Sequence, residues 1–352
     1  MKSDVYFSKV DSKETTDRAL YLKALLRSWD PFVGIKSNEI VPVKITVGDR
    51  GNKCFLKPEM VKVVADELKS RGLRPFLFDT NVIYPGERQN AVDHLNHAYS
   101  KGFTYENAGA PFIVADGLFG LDNKQYAVST PNIDKVKVPT FVGMLDNLVV
   151  LSHTTGHILA GYGGAVKNIA MGMSSRAGKQ TQHSSLKPHV VERKCTGCGT
   201  CVDLCPEKAI SMKGEVSSID KDKCVGCGEC IAACRHDAIY INWKEDPFIF
   251  SKKMVETTKA IMSKFKQCFF INFAIDITKD CDCMTDIPGE VITGDAGIFA
   301  SSDIVSVEKA TLDAINKEKK VFAKGGRTGV CHRMIDYAAQ IGMGNLNYEV
   351  KQ

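Results

Sequence analysis

The sequence predicts an α/β protein of mostly parallel sheets with flanking helices, interrupted by a small α+β insert. Three observations carry this. Strand-like and helix-like segments alternate through the first half of the 352 residues, the alternation resumes toward the C-terminal end, and between the two regions eight of the 13 cysteines crowd together. The expected organisation is residues 1–189 as the first part of the α/β body, 190–243 as the insert, and 244–352 as a second part packing on the first.

The elements follow in order. Ile40 to Val47 is apolar and β-branched and stops at Gly48-Asp49-Arg50-Gly51, which reads as a strand. Pro58 to Ser70 places Met60, Val61, Val64 and Leu68 on one helical face, and Gly72 ends it. Arg74 to Phe78 is the next strand and Glu87 to Lys101 the next helix, closed by Gly102. Strands are expected at Pro111–Ala115, Val138–Val142 and Asn147–Ser152. After the cysteines come a helix at Ser251–Lys266, a strand at Cys268–Ile275, and helices at Val307–Lys317 and Val330–Ile341. Strand–helix–strand order at this spacing implies right-handed crossovers and a largely parallel sheet. Functional residues gather where such strands end, and Asp79, Asp116 and His153 occupy those places.

Composition narrows the class. Apolar content of 44% and charged content of 25% suit a globular chain with a buried core. A net charge of +5, with its densest basic run at Lys317–Lys324, gives no footprint for nucleic acid or a membrane surface. The N-terminal segment lacks the apolar core of a signal peptide, and no apolar run reaches spanning length. A cytoplasmic location is expected, and there cysteines signal metal ligation or thiol chemistry rather than disulfides.

The cysteines form a repeat. Cys195-x2-Cys198-x2-Cys201-x3-Cys205-Pro206 is followed by Cys224-x2-Cys227-x2-Cys230-x3-Cys234, and the tails Glu207-Lys208-Ala209-Ile210 and His236-Asp237-Ala238-Ile239 match. Two-residue gaps let three thiolates wrap one corner of an iron–sulfur cube, while the fourth cysteine faces away and ligates the other cluster. Cys195, Cys198, Cys201 and Cys234 then hold one [4Fe-4S] cluster, and Cys224, Cys227, Cys230 and Cys205 the second, as in a bacterial-type 2[4Fe-4S] ferredoxin domain. Gly197, Gly199, Gly226 and Gly228 keep the loops tight. Structural zinc is the alternative, but zinc sites take four ligands in two separated pairs. Arg235 stands where the first run has Pro206, which bears on one cluster's potential or exposure and removes no ligand. Potentials on the order of −400 mV are the default for such clusters, so a redox partner such as a ferredoxin, flavodoxin or reductase is expected.

Ahead of the insert lies Ser152-His153-Thr154-Thr155-Gly156-His157, continuing to Gly161-Tyr162-Gly163-Gly164-Ala165-Val166-Lys167-Asn168. Glycines around a lysine and histidines after a strand make a loop where backbone can approach a ligand, at Gly163 and Gly164 in particular. Lysine offers a cation or nucleophile, and histidine offers proton transfer or metal ligation. The alternative is a plain turn with a solvated lysine. The coincidence at a strand end favours a site, with His183 following.

At this point the chain resembles the Domain of Unknown Function 362 family of anaerobic bacteria and archaea, many of whose members carry a two-cluster ferredoxin insert. The resemblance rests on Phe78-Asp79-Thr80-Asn81, Ala115-Asp116-Gly117-Leu118, Gly156-His157 through Asn168, the two cysteine runs and Cys281-Asp282-Cys283. More distantly, the order His157, Lys167, His183 is similar to that in nickel-pincer lactate racemases, which lack the insert. That resemblance implies His157 as a proton-transfer base, Lys167 as a cofactor or substrate anchor, His183 as a metal ligand, and Arg88 as the partner of a substrate carboxylate.

Cys281-Asp282-Cys283 puts both sulfurs within reach of one additional metal ion if the backbone is turned. It also reads as a redox dithiol strained by its single intervening residue, or as two unrelated thiols; the family resemblance favours a functional reading. Asp295 and Asp303 are candidates to complete a polar site, whereas Cys268, Cys54 and Cys331 read as structural. The first functional expectation is a redox enzyme, an oxidoreductase whose clusters relay electrons to a pocket holding a small-molecule substrate. A non-catalytic ferredoxin-like carrier and a metal- or cofactor-handling protein are the alternatives.

Overall fold

The computed structural model describes residues 2–183, 187–241, 246–283, 289–322 and 329–352. Trp243, Pro288 and Lys324 lie outside the described residues. The chain opens with β1 (Ser3–Ser8), α1 (Thr15–Trp29), β2 (Ile40–Lys44), α2 (Pro58–Ser70), β3 (Arg74–Asp79), α3 (Ala91–Ser100), the single turn α4 (Tyr105–Ala108) and β4 (Phe112–Val114). There follow β5 (Asn123–Ala127), β6 (Lys135–Pro139), β7 (Asn147–His153), β8 (Thr155–His157), β9 (Gly161–Gly163), α5 (Ala165–Gly172) and α6 (Arg176–Gln182). The cysteine-rich stretch contains β10 (His189–Val190), α7 (Thr200–Asp203), β11 (Ile210–Lys213), β12 (Val216–Ile219), α8 (Glu229–Ala233) and β13 (Ile239–Tyr240). The chain ends with α9 (Pro247–Met262), β14 (Gln267–Ala274), β15 (Gly297–Ser301), α10 (Ile304–Glu318), α11 (Gly329–Gln340) and β16 (Tyr348–Lys351).

Among the described residues one sheet runs β16-β1-β15-β14-β7-β2-β3-β4. It joins segments from before and after the cysteine-rich stretch, so the two parts of the body share a single sheet. The sheet is mostly parallel: β15 alone pairs antiparallel, with β1 and β14, and the remaining neighbours run parallel. The central strands explain their sequences. Leu148 and Val150 of β7 face one core while Val149 and Leu151 face the other, and burial on both faces demands an unbroken apolar run. Helices α1 and α2 cover one face, and α5, α9, α10 and α11 the other.

Two expectations are corrected. The strand expected at Val138–Val142 lies earlier, as β6 ending at Pro139 with a turn after it, and it pairs antiparallel with β5 in a separate ribbon outside the main sheet. The segment before Asn168 is a hairpin, β8 with β9, followed by a helix rather than a loop. Gly164, the residue before α5, has no side chain to cap it, and the carboxylate of Glu308 on α10 accepts the N–H of Val166 at 3.1 Å instead. That arrangement needs glycine: a Cβ at 164 would lie 2.5 Å from Glu308 Oε1 and 2.7 Å from the Tyr162 hydroxyl. Burial pushes the Glu308 carboxyl up to about 7.

The cysteine-rich stretch packs as a small unit whose first and last strands, β10 and β13, pair with each other. It rests on α6, every residue of which is buried. Gly228 lies against Gln180 and Ala177, Arg176 donates to the Ala232 carbonyl at 3.0 Å, and Lys137 pairs with Glu229. Arg235 stacks its guanidinium over the Phe119 ring at 4.4 Å. The residue that replaces the proline of the first run thus stays exposed and touches the body.

Candidate functional site

A cavity of about 600 Å3 opens beside the C-terminal ends of β2 and β3. Arg88, His157, Lys167, His183, Cys281 and Cys283, residues spread over nearly 200 positions of sequence, all line it. Apolar side chains, Val82, Ile83, Ile158, Leu159, Met171 and Phe250 among them, make up most of the remaining wall, with Asp79, Asn168 and Lys179 also lining it.

Lys167 and the two thiols are its polar centre. Lys167, in the first turn of α5, reaches Cys281 Sγ at 2.7 Å and Cys283 Sγ at 3.5 Å, and the two sulfurs face each other at 2.6 Å. Burial alone would lower the Lys167 pKa, but the two sulfurs and Asp282 outweigh it and raise it. The hydrogen bond from Cys281, aided by Lys167 and Arg88, holds the Cys283 thiol well below its ordinary value, while Cys281 is raised. The pair therefore carries one negative charge against the Lys167 ammonium.

The turn bearing these thiols is gripped on both sides. His153 Nδ1 lies 2.9 Å from Asp282 Oδ2, and its Nε2 lies 2.7 Å from the Ile275 carbonyl. Both ring nitrogens face acceptors, which requires the doubly protonated imidazolium. Burial opposes that charge and Asp282 more than offsets it, so the His153 pKa is raised. On the other side the Tyr84 hydroxyl donates to the Cys283 carbonyl at 2.5 Å. Arg88 donates to that hydroxyl at 2.8 Å and pairs with Asp49 at 2.9 Å. Arg88 is fully buried and engaged by the protein's own groups, so it braces the turn rather than waiting for a substrate carboxylate. The hairpin also bears on this segment: the Gly156 N–H donates to the Thr278 carbonyl at 2.7 Å, and a Cβ at 156 would collide with the Lys279 carbonyl.

The two histidines stand against Phe250, a residue of α9, whose N-cap Asp246 accepts the N–H groups of Phe248 and Ile249. His183 stacks on the Phe250 ring at 4.4 Å and His157 at 6.0 Å. Burial, with Lys167 and His183 nearby, pushes the His157 imidazole down to about 3. Its Nδ1 accepts the N–H groups of Leu159 (3.2 Å) and Ala160 (3.0 Å), so the neutral ring keeps its proton on Nε2. In that state it donates a hydrogen bond, which does not suit the expected role of base.

Gly163 lines a small neighbouring cavity with Lys167 and Cys281, as does Gly164, whose tight packing against Glu308 serves the start of α5. Asp295 and Asp303 are not part of the site: Asp295 pairs with Arg18 at 2.7 Å, and Asp303 caps α10 by accepting the Ser306 N–H at 2.9 Å. Sequence reasoning missed Tyr84, Lys179, Phe250 and Lys44. Lys44 had a visible signal, a cation inside an apolar strand; it is fully buried, pairs with Asp79 at 3.0 Å and is pushed down to about 8 by burial. Lys179 lines the cavity and donates to the Thr80 hydroxyl at 2.5 Å.

The cysteine runs build two further, smaller cavities. One is lined by Cys195, Cys198, Cys201 and Cys234, the other by Cys205, Cys224, Cys227 and Cys230. Each takes three cysteines from one run and the fourth from the other. The repeat extends to the backbone: Gly197 and Gly226 have φ of +69° and +67°, and Lys208 and Asp237 of +48° and +50°. The N–H groups of Ala209 and Ala238 point at the sulfurs of Cys205 and Cys234, at 3.2 and 3.3 Å. Among the described residues no three His, Cys, Asp or Glu side chains converge as ligands of a single ion. Four sulfurs around a cavity, with N–H groups aimed inward, fit a cluster that fills a volume.

A family model described as a domain of unknown function, DUF362, matches residues 41–313. The chain belongs to the DUF362 family. No curated protein matches this DUF362 chain. Among solved structures, the lactate racemase apoprotein from Thermoanaerobacterium thermosaccharolyticum is 13% identical with a TM-score of 0.38, over 78% of this chain and 51% of the racemase. A protein from Thermotoga maritima is 11% identical with a TM-score of 0.42, over 77% of this chain and 52% of its own. The chain spans about half the length of these structures. Among the described residues no helix is long and apolar enough to cross a membrane.

Proposed function

We propose that this DUF362 chain is an iron–sulfur redox protein. Residues 190–243 are an inserted 2[4Fe-4S] ferredoxin-type unit that relays electrons to the cavity in the α/β body. The observation that supports this above the rest is the crosswise lining of the two small cavities, each by the four cysteines that a pair of clusters would require. When bound, the clusters supply one-electron carriers of low potential.

The chain's own residues order the path. Cys198 is exposed, so the cavity it lines faces an external redox protein. The cavity of Cys227 lies on the side of the unit where Gly228 packs on α6. Lys179 of that same helix, and His183 at its C-terminal end, line the large cavity, so α6 touches both. The body also argues for an enzyme over a carrier: an oversized carrier has no use for a largely apolar cavity with a thiol pair set against an ammonium.

Iron and acid-labile sulfide in anaerobically purified protein, with electron paramagnetic resonance of the reduced form, test this directly. About eight irons per chain are expected. Iron-free or zinc-loaded protein overturns the proposal.

A further inference from the structure

We infer that Cys281 and Cys283 form a reversible dithiol–disulfide couple that accepts the electrons delivered by the insert; this rests on the redox reading above and names its acceptor. The two sulfurs, Cys281 buried and Cys283 half-buried, are free and face to face at 2.6 Å. Among the described residues no third metal-ligating side chain joins them. Their turn is held at Asp282 by His153 and at the Cys283 carbonyl by Tyr84, so the thiols stay opposed without rearrangement of the turn.

Tyr84 is what ties this pair to the insert. Its ring packs against the apolar core formed by Ile83, Cys201, Cys230 and Ile231, and its hydroxyl touches the Cys283 carbonyl. One side chain thus bridges the cluster-bearing core and the dithiol. Stoichiometry and energetics agree with this arrangement. Two clusters carry one electron each, and a disulfide takes two. A ring closed across a single residue is strained and easily reduced, whereas cysteine-ligated clusters are low-potential donors.

In the reductive direction the Cys281–Cys283 bond breaks as the pair takes up two electrons, one from each cluster, and one proton from water in the cavity. The products are one thiol and one thiolate, the thiolate ion-paired with Lys167. In the oxidative direction the thiolate attacks a low-molecular-weight disulfide and expels one thiolate from it. The remaining thiol then displaces the second half as a thiol, and the internal bond re-forms.

The test uses the cluster-loaded full chain, treated anaerobically with glutathione disulfide and freed of it. Electrons are then added stepwise from dithionite while paramagnetic resonance follows the clusters and alkylation with mass spectrometry follows the 281–283 peptide. The first two electrons per chain should leave the reduced-cluster signal absent while both thiols become labelled; the signal should grow only afterwards. In the C281S/C283S double variant it should grow from the first electron, and Tyr84→Leu should slow the labelling without changing its end point. The inference is overturned if the wild-type signal grows from the first electron, or if both thiols label equally after glutathione disulfide. The second outcome is read on the wild type alone and holds even if the variants misfold. Absence of any cluster signal is a separate result, which removes the redox reading itself.

Discussion

Gly228 lies directly against Gln180, so that a Cβ at position 228 would collide with the Cβ of its neighbour. The contact sets one cysteine loop on α6, and φ at Gly228 is +78°. Gly228→Ala should therefore lower stability by about 1–3 kcal/mol through overpacking, with backbone strain adding to it. The denaturant midpoint of the loaded protein measures this. An unchanged midpoint would mean that the loop does not pack on α6 as described.

The crosswise ligation we propose makes a prediction about pairs of variants. Cys234→Ser should impair the cluster of Cys195, Cys198 and Cys201, although position 234 belongs to the other run. Combining Cys195→Ser with Cys234→Ser should cost no more iron than the worse single change. Combining Cys195→Ser with Cys230→Ser should cost both clusters. Iron counts on the four proteins decide it, and equal losses in the two double variants would contradict the assignment.

Lys167→Met removes the cation that faces the Cys281–Cys283 charge. Without it the thiolate fraction at neutral pH should fall and alkylation should slow by several-fold, the Cys281 hydrogen bond and Arg88 retaining part of the effect. Lys167→Arg should retain most of the rate. Rates of iodoacetamide labelling across pH give both the fall and the upward move of the profile.

The buried His153–Asp282 pair predicts a pH window. The His153 pKa is raised in the folded protein, so its contribution is complete below the unfolded value of about 6.5 and is lost as pH rises through the folded value. Glu308, raised to about 7, acts in the same direction but at lower pH, between its ordinary carboxylate range and about 7. Stability should decline in two stages from acid to alkaline pH. Asp282→Asn should abolish the upper stage and leave the lower; persistence of both stages in that variant would sink the assignment. Leaving His153 without its partner should also cost roughly 3–5 kcal/mol in the acid range.

His157 should stay neutral down to acid pH, with its proton on Nε2. Nitrogen-detected magnetic resonance of the ring reads both statements. A ring that titrates near 6 to 7 would contradict the burial that holds it neutral, and a proton found on Nδ1 would contradict the Leu159 and Ala160 contacts.

The sequence was most informative where local physics decides. Helix α2 was legible to the residue because a proline opens it, a 3.6-residue apolar period runs through it and a glycine follows it. The helix before Gly102 was expected from Glu87, but Asn90 caps it and it begins at Ala91. Segments that depend on distant partners were not legible. Lys167 read as a loop residue because the group that receives the Val166 N–H at the start of its helix is Glu308, 142 positions beyond Val166. Of the site, the residue types with obvious chemistry were found, and the side chains that aim them, Tyr84 and Phe250, were not. An aromatic residue announces burial in sequence, but what it leans against is settled only by folding. A strand between Asp295 and Asp303 was legible, but the antiparallel pairing of β15 with both β14 and β1 was not, since it depends on a partner at the other end of the chain.

The pairing of β10 with β13 places His189 opposite Tyr240 and Val190 opposite Ile239, so the chain leaves the body and returns to it at neighbouring points. A segment with entry and exit side by side is a detachable cassette. A few residues could close the gap without disturbing any strand of the main sheet, at the expense of baring the face of α6.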